Sequence, residues 1–204
     1  SLMLELSSVD ASTALSGFLE RIHEDGLASN QIIDAVVATS EQQARDIWHV
    51  RHSVSEANKK EGVGIVHDVA VRLSHVPAFI EAADKLAADS YPHATTQVVC
   101  HLGDGNVHFI LMFSHEFWDS LDDKEAYALA VERDVHDVGA RFNGTFSAEH
   151  GVGRKLTEEL ARLSDPLRYH LMSQVKMLFD PENRMNPGVL LPATSSIPNS
   201  QQHS

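Results

Sequence analysis

The sequence predicts an α+β fold in which an antiparallel sheet is covered on one face by helices. The stretches TQVVCHL and NVHFILMF flank a Gly-Asp-Gly turn as the two arms of a hairpin would. Strand-like and helix-like segments are mixed around them. With 204 residues, 43% of them hydrophobic and 22% charged, the chain can bury the core of one ordinary domain.

The elements follow in order. Met3, Leu4, Glu5 and Leu6 alternate as an opening strand. Ser8 or Asp10 can cap a helix to about Asp25, with Ala14, Leu15, Phe18, Leu19 and Ile22 at helical spacing and Gly26 as its stop. QIIDAVVAT (31–39) predicts a second strand, and residues 40–60 a helix with Ala44, Ile47, Trp48, Arg51, Val54 and Ser55 near one face. GIVHDVAVRL (64–73) predicts a third strand. HVPAFIEAADKLAADS (75–90) predicts a helix with Pro77 in its first turn, where a missing N–H costs little. After the hairpin arms, 96–102 and 106–113, an acid-capped helix is expected over 122–141. NGTFSAEHGVG (143–153) reads as a short strand entering a glycine-flanked loop, and 165–180 as a last amphipathic helix. The expected domain spans 3–192, with 193–204 a disordered tail of Ser, Pro, Gln and Asn.

Composition excludes several function classes. Sixteen Lys and Arg against 29 Asp and Glu give a net charge of −13, the wrong sign for capturing nucleic acid or anionic lipid. No apolar run approaches the ~20 residues of a transmembrane helix. A single cysteine, Cys100, allows no internal disulfide and fits a reducing, cytoplasmic location. There is no GxGxxG or Walker-type loop, so nucleotide binding within this chain has no support. Thirteen histidines are more than such a chain usually carries, and they are where chemistry is sought.

His101 and His108 bracket the Gly-Asp-Gly turn, and Glu149-His150 lie in the second glycine-flanked loop. Two imidazoles and a carboxylate form a ligand set used for zinc, and also for iron or manganese, so His101, His108 and Glu149 can close around one divalent ion. Such an ion, with a coordination position left open, would hold a substrate hydroxyl and lower its pKa, and His150 could accept the proton. Asp104 and Asn106 are available to orient the ligands, while Gly103 and Gly105 permit positive φ. Judged alone, the same residues also suit a plain hairpin with exposed histidines.

Three motifs in order, HLGDGNVH, GTFSAEHGVGRK and LFDPENRMNPG, resemble the carboxy-terminal half of FAD-linked oxidases of the vanillyl-alcohol oxidase type. The branch resembled holds D-lactate dehydrogenase, D-2-hydroxyglutarate dehydrogenase and the glycolate oxidase flavoprotein subunit. The resemblance implies a cap and substrate domain with an antiparallel ferredoxin-like sheet. This cap covers an FAD held by a separate amino-terminal domain, which would precede Ser1. It also implies that His101, His108 and Glu149 bind the metal, His150 is the base, and Asn106 faces the substrate. Arg51, in WHVR, would hold the substrate carboxylate, with Ser55 one turn on where the 2-hydroxyglutarate branch has threonine. That branch carries Lys-His-Asp where this chain has Val66-His67-Asp68.

The expected partners are a small 2-hydroxy acid, the FAD domain, and an electron-acceptor protein or quinone. A homodimer is a further expectation, because removing a partner domain exposes an apolar face. By itself the chain is expected to carry no flavin and to turn nothing over. A stand-alone metal-binding or interaction module that has lost the flavin domain is the alternative.

Overall fold

A computed structural model describes residues 2–10 and 15–192, with the side chain of Ser55 outside that description. The expected tail, 193–204, and Ala14 lie outside the described residues. The chain divides into two compact units, residues 1–54 and 55–204.

In the first unit, α1 (Leu15–Ala28) runs through Gly26 and closes with Asn30 at φ 56°. Gly26 lies within the helix and does not stop it: Ile32 folds back over it, and a Cβ there would sit 2.4 Å from Ile32 Cδ1, so that side chain would have to shift. Neither 3–6 nor 31–39 forms a strand. Ile33 and Val36 are 97% and 84% exposed. A strand needs a neighbouring edge to satisfy its backbone, and the described residues of this unit contain no strand to provide one. The opening segment is tethered instead by Trp48 Nε1, which donates to Glu5 Oε2 at 2.6 Å.

Helix α2 (Glu41–Glu61) carries the chain into the second unit. There follow β1 (Val63–Ala70), α3 (Val76–Ser90), β2 (Ala94–His101), β3 (Asn106–Phe113), α4 (His115–Asp119), α5 (Lys124–Arg141), α6 (Thr157–Leu163) and α7 (Pro166–Phe179). The strands form an antiparallel sheet in the order β1-β3-β2, so the fold is α+β as the sequence predicts. β3, apolar from Phe109 to Phe113 and buried along nearly all its length, takes the centre between β1 and β2. Short polar side chains start the later helices: Ser114, Asp123 and Asp165 accept the amides of Phe117, Ala126 and Arg168. Helices α4 and α6, of five and seven residues, are too short for the sequence to announce by period.

Alternation along the strands separates two faces. Val69, Val107, Phe109, Leu111 and Phe113 are buried with Phe79 and Ala83 of α3 and with Val131, Val135 and Val138 of α5. Each Val, Leu and Phe among them contributes about 1.5–3 kcal/mol by leaving water. The opposite face is fixed by register: Asp68 pairs with His108, and Asn106 pairs with both Ala70 and His101. His101, Asn106, His108 and Asp68 therefore share one face of the sheet.

The hairpin turn is a single 3-10 turn, Leu102–Asp104, ended by Gly105 at φ 71°. Of the two glycines only Gly105 needs positive φ, and a Cβ on it would sit 2.2 Å from the Val71 carbonyl oxygen. The short strand expected over 143–153 is realised as two isolated bridges to β1, Ala70–Thr145 and Asp68–Ser147. Thr145 exchanges backbone hydrogen bonds with Ala70, and the Ala148 amide donates to the Asp68 carbonyl at 3.0 Å. This lays Glu149 and His150 against β1. No helix of the described residues is long and apolar enough to cross a membrane.

Candidate metal centre

Three elements meet on the open face of the sheet: the end of β2 with His101, β3 with Asn106 and His108, and the loop after the Ser147 bridge with Glu149 and His150. One ligand atom each from His101, His108 and Glu149 lies within 4.8 Å of the other two. His101 Nε2 is 3.6 Å from Glu149 Oε1, and His108 Nε2 is 3.7 Å from Glu149 Oε2. Ligands around a tetrahedral ion with ~2.0 Å bonds stand about 3.3 Å apart. The three donors would have to draw inward to close on zinc, and the two imidazoles and one carboxylate match the donor chemistry of that ion. The rings of His101 and His108 cross at 84°, with centroids 5.8 Å apart.

Two of the three candidate ligands, Glu149 and His108, are held by neighbouring side chains. Asn106, 2% exposed, donates from Nδ2 to Glu149 Oε1 at 2.5 Å, so its side chain bears on the carboxylate ligand. Burial pushes the His108 imidazole below its ordinary value, against the pull of Asp68 and Glu149. This favours the neutral ring that a metal needs. His150 stacks on His108 with centroids 5.7 Å apart at 23°. It exposes 64% of its side chain at the edge of a cavity also lined by Ser147, Glu132, His136 and Lys155, so a ligand can reach it.

Asp68, which sequence reasoning assigned no role, joins these elements. Its Oδ2 accepts the amides of Glu149 at 2.8 Å and His150 at 2.9 Å and lies 3.5 Å from His150 Nδ1. Burial works to raise the Asp68 carboxyl, but the two amides and the neighbouring histidines outweigh it and hold the group below the ordinary carboxylate range. An acidic residue in an apolar strand, VGIVHDVA, was the available signal.

The remaining expected residues are placed as follows. Arg51 is on α2 within the first unit. Ser55 follows one turn later on the same helix, its side chain outside the described ones. Asp104 is exposed in the hairpin turn. Val66 is half exposed on the same sheet face as Asp68.

A second polar cluster went unseen in the sequence. On the covered side of β1, His67 donates from Nδ1–H to the Phe109 carbonyl oxygen, 2.8 Å away, and meets the His136 ring edge-on. His136 Nδ1 is 3.0 Å from Glu159 Oε2, and Arg162 binds both oxygens of that buried carboxylate. These groups fasten α6 to α5.

The model of the FAD linked oxidases, C-terminal domain, matches residues 2–190. A D-2-hydroxyglutarate dehydrogenase of Stutzerimonas stutzeri is 32% identical over 164 residues, which are 79% of this chain and 34% of that protein. The mitochondrial D-2-hydroxyglutarate dehydrogenase of Bos taurus is 31% identical over 179 residues, covering 87% of this chain and 30% of the relative. One from Xanthomonas citri pv. viticola is 31% identical over 78% of this chain and 33% of its own length. The chain thus spans about a third of the length of the curated relatives it matches. The ordered motifs, the antiparallel α+β fold and this match agree, and the chain belongs to the C-terminal domain family of the FAD-linked oxidases.

Proposed function

We propose that this chain, over 3–192, is the substrate and cap domain of an FAD-dependent D-2-hydroxy-acid dehydrogenase. It would act with a separate FAD domain on an acid of the D-lactate, glycolate or D-2-hydroxyglutarate type and yield the 2-oxo acid. The convergence of His101, His108 and Glu149 beside an accessible His150 carries the reading.

His101, His108 and Glu149 would hold zinc, with iron or manganese as alternatives. Bound there, a divalent ion supplies a Lewis acid that lowers the pKa of the substrate hydroxyl. Bound in its own domain, FAD supplies the acceptor for the hydride from C2. His150 takes the hydroxyl proton. Its Nδ1 faces Asp68 Oδ2 at 3.5 Å, which leaves Nε2 as the basic atom and gives the imidazolium an anionic neighbour. Arg51 would grip the substrate carboxylate with a bidentate guanidinium, and Ser55 would add a hydroxyl. Asn106 holds Glu149 toward the ion and borders the substrate. The electrons then leave to an acceptor protein or quinone.

The test is turnover. Joined to its FAD domain, the protein is expected to reduce an artificial electron acceptor with at least one of D-lactate, glycolate and D-2-hydroxyglutarate, and not with L-lactate. Zinc binding without turnover on any of them would contradict the enzyme reading and leave a metal-binding module.

A further inference from the structure

Asp68 is a buried carboxylate with only one of its two oxygens accounted for. Its side chain is 8% exposed, and Oδ2 is saturated by the amides of Glu149 and His150. Oδ1 is buried and has no hydrogen-bond partner. A buried carboxylate oxygen left without a donor is costly, so a donor is expected within a small movement. The nearest candidate is on the opposite strand: His108 Nδ1 lies 3.7 Å from Asp68 Oδ1, just beyond hydrogen-bond range. The other nitrogen of that ring, Nε2, is the atom that faces Glu149 Oε2.

We propose that Asp68 is the positioning residue of this site, accepting a hydrogen bond from His108 Nδ1–H on Oδ1 while Oδ2 pins the Glu149-His150 backbone. The inference rests on the metal reading above. A carboxylate on the far nitrogen fixes the tautomer of a ligating histidine, turns its lone pair toward the ion and raises its basicity. One side chain thereby sets a ligand from β3 and a ligand from the loop at the same time. The register makes this possible, because Asp68 and His108 are directly opposed on β1 and β3.

The probe is zinc alone, titrated into the metal-stripped chain. Asp68→Asn keeps an oxygen for the two amides but removes the anionic acceptor. It is expected to weaken zinc about 10- to 100-fold with the number of sites unchanged. A residue that only braced the loop would let this variant bind zinc within about twofold of wild type, and that result would overturn the proposal. A second measurement needs no variant: in the zinc-loaded wild-type chain, nitrogen NMR should find His108 protonated at Nδ1. Protonation at Nε2 would overturn it whether or not Asp68→Asn folds. If the wild-type chain binds no zinc, or His108→Ala binds it equally well, the metal reading fails and takes this inference with it. Unchanged affinity in Asp68→Asn alone removes only the role of Asp68.

Discussion

Asn106 Nδ2 donates to Glu149 Oε1 at 2.5 Å, joining two residues 43 positions apart and holding the candidate carboxylate ligand beside His101 and His108. A ligand held in place binds an ion without first losing its own rotamer freedom. Asn106→Ala should therefore leave zinc stoichiometry intact and weaken zinc about 10-fold, read by competition with a chelator. Unchanged affinity would mean that Glu149 is set by its backbone alone.

His150 follows Glu149, a candidate metal ligand, without being one of the clustered three. In the protein joined to its FAD domain, His150→Ala should abolish turnover, a loss of at least about 100-fold, while zinc content stays at the wild-type level. Undiminished turnover in that variant would remove His150 as the base. Loss of the zinc together with turnover would instead make it a ligand.

Burial beneath α5 pushes the His67 imidazole down from 6.5 to about 4. The folded chain keeps this ring neutral, whereas the unfolded chain protonates it below pH 6.5. The resulting stability is complete above pH 6.5 and is lost as pH falls from there toward 4, on the order of 3 kcal/mol for that shift. Melting curves at pH 7 and pH 4.5 should show His67→Gln losing less stability on acidification than wild type. Equal losses would place the acid sensitivity elsewhere.

Gly105 combines φ 71° with a Val71 carbonyl oxygen 2.2 Å from where a Cβ would be. Gly105→Ala should cost about 2 kcal/mol or more, a fall in Tm of roughly 4–8 °C. It should weaken zinc as well, because the turn sets His101 against Asn106. Gly103→Ala, at a position with open space around it, should melt close to wild type.

The hairpin was legible in the sequence because its signals are local. Apolar arms and glycine punctuation act over a few residues, and both imidazoles sit within them. The helices with Pro77, Asp123 and Asp165 at their starts were legible for the same reason, with ends within about two residues of expectation. Segment 31–39 carries the same apolar signal as a strand, but pairing depends on a neighbour that no local pattern reveals. Asp68 was hidden for a related reason. An acid in a strand reads the same whether it faces water or two amides 81 and 82 residues away. The bond from His136 to Glu159 spans 23 residues and two helices, and the period of neither helix announces it.

His101, His108 and Glu149 are proposed to form one metal site. Metal analysis of the purified chain after zinc loading at neutral pH tests it most directly. Close to one zinc per chain is expected, lost in His101→Ala and in His108→Ala. A chain that takes up no zinc, or the same zinc content in both variants, would contradict it.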